Sequence, residues 1–149
     1  MLELGCGWGL VGIACAKTFQ AQVTGLDADA AVFPYLQLHA QRHDVRIATQ
    51  QGTFADLTLR DLATFEIIVG ADICFWEDLV DPLYQMIRRG VAGGVAEILI
   101  ADPGRPPFDE LCERCVQQGD AEVIPWTMTR PVAEAGQILR VVGAAQTRR

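Results

Sequence analysis

Two short stretches carry residue types that can do chemistry. They are Glu3-Leu4-Gly5-Cys6-Gly7-Trp8-Gly9 and Gly70-Ala71-Asp72-Ile73-Cys74-Phe75-Trp76-Glu77, with a carboxylate at Asp27 between them. Glycine adopts positive φ and lets a ligand approach the backbone closely. A glycine turn between an apolar run and a helix therefore offers backbone N–H groups to a ligand. Asp27 ends the next apolar run, where a carboxylate can accept two hydrogen bonds from ribose hydroxyls. Asp72 follows the clearest apolar run and could contact an incoming amine. Each residue also has a plainer reading. The glycines could only make a tight turn, Asp27 and Asp72 could cap helices, and Trp76 could be a core aromatic.

These groups meet only if the intervening elements bring them together. Residues 1–4 read as the end of a buried strand and 10–19 as a mostly buried helix. A second strand spans 22–26 and closes at Asp27. Residues 29–43 are helical in pattern, with Val32, Leu36, His39 and Ala40 on one side and Pro34 disturbing the first turns. Strands follow at 45–49 and 66–71. A helix over 77–89 repeats Leu79, Val80, Leu83, Met86 and Ile87 at helical spacing, with Gly90 as its stop. A fifth strand spans 95–101, and Pro106 and Pro107 open a helix that buries Phe108, Leu111, Cys112, Cys115 and Val116, with Gly119 as its stop. Residues 121–127 and 137–142 make two final strands, joined by a loop of about ten residues and paired antiparallel. Alternating strands and helices imply a three-layer α/β/α sandwich around a mostly parallel seven-strand sheet, closed by an antiparallel hairpin. Thr147, Arg148 and Arg149 are expected to fray.

Two nucleotide-cofactor classes use a glycine turn of this kind. Dinucleotide enzymes prefer G-x-G-x-x-G, and counting from Gly5 puts Leu10 at the third position, a poor fit. The spacing is instead acid-x-Gly-x-Gly-x-Gly. It resembles the first motif of the class I, seven-strand, Rossmann-like S-adenosylmethionine-dependent methyltransferases. The resemblance implies Glu3 at the methionine end of the cofactor, Gly5, Cys6, Gly7, Trp8 and Gly9 as its cradle, and Asp27 and Ala28 at the ribose. Within that superfamily, Asp72 and Phe75 match the D-x-x-Y/F motif of the methyltransferase 16 family, which includes protein-lysine methyltransferases. Gly52-Thr53-Phe54-Ala55-Asp56 is similar to that family's L-D-W-acid stretch, which implies Phe54 near the adenine. Thr53 replaces the family's acid and Phe54 its tryptophan, and His39 stands where asparagine is frequent. The resemblance implies Ala71 beside the cofactor, Asp72 as the catalytic carboxylate, and Phe75 and Trp76 as substrate contacts. One domain is expected over 1–149, without the upstream segment with which the family covers the cofactor.

The implied activity is methyl transfer from S-adenosyl-L-methionine to an amine such as a protein lysine. The alternatives are a small-molecule acceptor, a catalytically inactive methyltransferase-like binding module, or a nicotinamide-dependent enzyme. A formal net charge of −7 suits a basic protein partner or a small-molecule amine, and disfavours nucleic acid. The absence of an Asn/Asp-Pro-Pro-aromatic motif after the fourth strand agrees. No apolar run reaches the roughly 20 residues of a membrane helix, so no membrane partner is expected. Five cysteines without a secreted framework's spacing point to a reducing, cytoplasmic setting. No metal site is expected. Cys112 and Cys115 form a lone C-x-x-C read as core packing, and His39 and His43 lack an accompanying acid. Arg105 and Arg130 are read as solvated loop charges, and Trp126 as core of the hairpin.

Overall fold

The computed structural model describes residues 1–143, so the expectation for Thr147, Arg148 and Arg149 lies outside the described residues. The elements in chain order begin with β1 (Leu2–Leu4), α1 (Leu10–Phe19), β2 (Val23–Asp27), α2 (Phe33–Arg42) and β3 (Ile47–Gln51). They continue with α3 (Leu59–Leu62), β4 (Ile67–Ala71), α4 (Val80–Ala92) and β5 (Glu97–Asp102). The last three are α5 (Pro106–Val116), β6 (Ala121–Met128) and β7 (Glu134–Val142). The seven strands form one sheet in the order β3-β2-β1-β4-β5-β7-β6. The pairs among β1 to β5 are parallel, and β7 runs antiparallel to both β5 and β6. The expected Rossmann-like layering is therefore the observed one.

Alternation along the strands sends successive side chains to opposite faces. Leu2, Leu4, Leu26, Ile68, Ile98 and Ile100 join the core built with α3, α4 and α5. On the other face Cys6, Val23 and Ile47 pack with Ile13 of α1 and with Leu36 and Ala40 of α2. Pro34 occupies the first turn of α2, where its missing N–H costs nothing, and a 3-10 turn at Ala30–Val32 precedes it.

Several expectations are corrected. Helix α1 is not mostly buried: only Gly12 and Ile13 are, while Leu10 and Phe19 are exposed. A narrow stripe meets the sheet, and the apolar character of 10–19 does not mark which side that is. Helix α4 starts at Val80 after a 3-10 turn over Glu77–Leu79, and it runs past Gly90 to Ala92. Gly90 is a packing residue, since a Cβ there would sit 3.0 Å from Ile98 Cδ1, and the chain turns out of the helix at Gly94, φ 89. The third strand lies two residues later than expected, because Val45 closes α2 through its N–H to the Ala40 carbonyl. Helix α3 was not expected; Thr58 and Asp61 cap it reciprocally. Val116 is exposed rather than core. The hairpin strands are longer than read, leaving only residues 129–133 between them. Trp126 lies half-buried against Gly136 rather than in the core. Among the described residues, no helix is long and apolar enough to cross a membrane.

Candidate active site

Leu4 pairs with Leu26 of β2 on one side and Gly70 of β4 on the other. Gly5, Asp27 and Asp72, which end or follow these strands, are thereby set side by side along one edge of the sheet. Strand β1 is where the strand order reverses: the chain leaves it toward β2 and β3, then returns across the sheet to β4. Flanking connections diverge at such a point and leave a crevice.

The glycine turn is built by backbone conformation. Gly5 has φ 55, and a Cβ on it would lie 2.6 Å from Ile73 Cγ2. Gly7 has φ 49, yet a Cβ there would meet nothing within 4 Å, so the turn faces open space at that residue. Asp27 ties the turn to β2. Its Oδ2 accepts the Gly7 N–H at 2.9 Å and its Oδ1 accepts the Asp29 N–H at 3.0 Å. Each carboxylate oxygen can accept about two hydrogen bonds, so one site on each remains for a diol. Asp27 does not cap α2 or the 3-10 turn before it; Asp29 caps that turn, accepting the Ala31 N–H at 2.9 Å.

A cleft of about 390 Å³ opens beside these groups. Gly5, Leu26, Asp27, Ala28, Thr53 and Phe54 line it together with Asp72, Ile73, Phe75, Leu79 and Pro82. That volume falls in the range of small-molecule sites. A second pocket shares Gly5 and is lined by Glu3, Cys6, Trp8, Leu10, Val11 and Ala71. The residues singled out from sequence thus divide. Gly5, Asp27, Ala28, Phe54, Asp72 and Phe75 share the main cleft, while Glu3, Cys6, Trp8 and Ala71 share the second pocket. Gly7 and Gly9 line neither. Trp76 lies outside both, 66% exposed, in a surface groove with Phe75, Glu77, Asp78 and the prolines that open α5. It is not a core aromatic.

Glu3 points to the α1 face of β1 and is 3% exposed. Its Oε2 is buried without a hydrogen-bond partner. Burial pushes the acid from 4.5 up to about 7, and the nearby Val11 and Gly12 amides offset only part of that. Cys6 and Cys74 are buried, and burial raises their thiols to about 12 and about 11. Neither is a thiolate at neutral pH, so neither serves as a nucleophile there. Cys112 and Cys115 are buried on the inner side of α5, as core packing requires. Among the described residues no cluster of His, Cys, Asp or Glu could hold a metal ion.

At the far end of the cleft, Asp72 sits in the left-handed region, φ 61, with its N–H donated to the Ala101 carbonyl at 2.9 Å. Its side chain is 73% exposed. It caps no helix, since the 3-10 turn begins at Glu77 and its N-cap is Trp76. Arg105 is not a solvated charge. It pairs with Asp72, binds the buried Asp102 at 2.8 Å, and lies 5.9 Å from the Phe75 ring centre. Sequence reasoning missed Arg105 as well as the cleft-lining Ile73, Leu79 and Pro82. The only local signal for Arg105 was an acid three residues earlier, at the end of a strand. The cleft as a whole can hold a nucleoside at one end and present an exposed carboxylate and an aromatic face at the other.

Residues 1–94 match the family model described as "Methyltransferase domain". The electron transfer flavoprotein beta subunit lysine methyltransferase of Xenopus laevis is 28% identical over 108 residues, covering 72% of this chain and 43% of that protein. The ubiquinone biosynthesis O-methyltransferase of Alkalilimnicola ehrlichii is 32% identical over 82 residues, covering 55% of this chain and 32% of that protein. The chain thus spans less than half the length of these curated relatives. The magnesium protoporphyrin IX methyltransferase of Synechocystis, solved with bound S-adenosylmethionine, shares the fold at a TM-score of 0.64 and 15% identity, over 96% of this chain and 69% of that one.

Proposed function

The chain belongs to the methyltransferase-domain family, and on that premise we propose that it transfers a methyl group from S-adenosylmethionine to an amine, foremost a protein lysine. The residues fit that cofactor. Gly7 faces open space, Asp27 has acceptor capacity left for a ribose, and Glu3 holds a buried carboxylate oxygen without a partner. Asp27 and Ala28 would hold the ribose, Phe54 the adenine, the glycine turn the backbone-facing side, and Glu3 the amino-acid end. Bound there, the cofactor supplies a methyl group already activated by its sulfonium.

The remaining work belongs to the acceptor end, and it is mainly alignment. A lysine ammonium has a reference pKa of about 10.4 and must lose a proton before it attacks. Asp72 attracts the ammonium and accepts its N–H, and the exposed position lets water take the proton. Phe75 packs on the aliphatic stem or on the cation itself. One observation carries the reading: Asp72 and Phe75 line the same cleft as Asp27 and Phe54. The lysine methyltransferase relative and the net charge of −7 support a basic protein as the acceptor. A small-molecule acceptor is the second reading, favoured by the O-methyltransferase relative.

Calorimetry with S-adenosylmethionine and a methylation assay on two variants test the proposal. Asp27→Ala should weaken cofactor affinity about tenfold or more, the worth of one charge-assisted hydrogen bond. Asp72→Ala should leave that affinity intact and abolish most turnover on amines. Unchanged affinity in the first variant would sink the cofactor assignment. Unchanged turnover in the second would sink the role of Asp72, and binding without turnover on any acceptor would identify a binding module.

A further inference from the structure

Arg105 is the N-cap of α5 and lies behind the cleft, touching Asp72 and Phe75, which line it. Its root is Asp102, a carboxylate 2% exposed at the last position of β5. Asp102 Oδ1 accepts the N–H groups of Gly104 and Arg105, both at 2.9 Å, and Asp102 Oδ2 accepts from the Arg105 guanidinium at 2.8 Å. The nitrogen that binds Asp102 Oδ2, Nη2, also lies against Asp72 Oδ1, and the guanidinium carbon is 5.9 Å from the centre of the Phe75 ring. A buried carboxylate with both oxygens engaged therefore fixes an arginine, and the arginine in turn meets both acceptor-end residues.

From this relay we infer that Arg105 is a positioning residue for the acceptor amine: anchored by Asp102, it holds Asp72 and Phe75 in place. The inference rests on the reading of Asp72 as the amine's partner. An exposed carboxylate on a left-handed residue has several rotamers open to it, most of them directed into water. Pairing Oδ1 with Arg105 selects one and leaves Oδ2 for the incoming N–H. The guanidinium is planar and Asp102 holds it through both Nε and Nη2, so Nη2 meets Asp72 in an orientation that a flexible lysine at 105 would set less well. Its charge offsets part of the negative charge at Asp72. The net effect on an amine is orientation gained against attraction lost, and the anchoring by a buried partner decides for orientation.

The test uses the full chain saturated with S-adenosylhomocysteine and titrated with n-butylammonium chloride, against sodium chloride at equal concentration. Amide shifts of Asp72 and Phe75 report the amine. Arg105→Gln should weaken butylammonium binding about fivefold, the scale of one partly exposed ion pair. Arg105→Lys should restore part of that loss, and Asp102→Asn should behave like Arg105→Gln. S-adenosylhomocysteine affinity should be the same in all of them, a readout that general unfolding would move. If Asp102→Asn fails to fold, the two Arg105 variants still decide. Equal or tighter amine binding by Arg105→Gln would overturn the inference, because Arg105 would then only neutralise Asp72. A parent chain that does not bind S-adenosylhomocysteine would overturn the proposed function instead. One that binds it but not butylammonium would overturn the amine seat at Asp72, and with it this inference.

Discussion

Replacing Glu3 with glutamine should stabilise the protein at alkaline pH and change little below about pH 5. The side chain is buried, one of its oxygens lacks a partner, and its acid is pushed from 4.5 up to about 7. In the unfolded chain the same group titrates near its ordinary value. Between those two values the folded protein holds a proton that the unfolded chain has released. Stability therefore falls as pH rises through that window. At ~1.4 kcal/mol for each tenfold change in proton affinity, the displacement is worth about 3 kcal/mol. That cost is absent below the unfolded value and complete above the folded one. Glutamine keeps the shape and removes the titration. Urea unfolding of both proteins from pH 4.5 to pH 8 measures the effect, and subtracting one curve from the other removes every other titrating group. The curves should meet at the acid end and separate by about 3 kcal/mol at pH 8, with Glu3→Gln the more stable. Parallel curves would refute the burial argument. Under the proposed function a cation arriving at Glu3 also drives its ionisation. Binding of S-adenosylmethionine near pH 6 should then release a proton, seen as a calorimetric heat that depends on the buffer.

Gly12→Ala should destabilise the fold by about 2 kcal/mol despite the better helix propensity of alanine, because the new Cβ would lie 2.4 Å from Glu3 Oε2 and 3.0 Å from Val23 Cγ1. Thermal unfolding checks this, and a raised Tm would contradict the close packing of α1 on β1. Cys15 is the one half-buried thiol among five, the others being buried. An aromatic disulfide reagent at pH 8 should therefore label Cys15 alone in the folded protein and all five in urea; prompt labelling of Cys112 or Cys115 would mean that α5 is not docked as described.

The parts of the site that were legible in the sequence are those whose chemistry is local. A turn that needs positive φ at Gly5 and Gly7 shows itself as glycine, and an acid closing the next strand is adjacent in the chain to the strand it closes. Asp72 was legible for a similar reason, since it directly follows β4, whereas Phe75 entered only through its match to a family motif. The parts that were missed depend on distant contacts. Arg105 reads as one more loop charge until β4 and β5 are paired, because only that pairing brings Asp102 beside Asp72. Gly90 reads as a helix stop, and only the position of Ile98 turns it into a packing residue. The side of α1 that meets the sheet was illegible because Leu10 and Phe19 are as apolar as Ile13, and the exposed pair gives no polar stripe to mark the outside.

Under the proposed function, which makes one end of the cleft the nucleoside end and the other the acceptor end, the same division bears on how the two can vary. The nucleoside end is made largely of backbone: positive-φ glycines, and amides of Gly7 and Asp29 held by Asp27. Such groups are spoiled by almost any side chain, so this end is bound to the fold. The acceptor end is made of side chains on the segments that follow β4 and β5, with Asp72 and Phe75 exposed and Arg105 half-exposed. Exchanging those side chains costs little stability, because few of their atoms are in the core. Asp102 is the exception, buried and hydrogen-bonded to two backbone amides as well as to Arg105. It couples the acceptor wall to β5. Under the proposed function a change of acceptor can therefore proceed freely at Phe75, whereas a change at Arg105 leaves a buried carboxylate short of its cation and must be accompanied by one at Asp102.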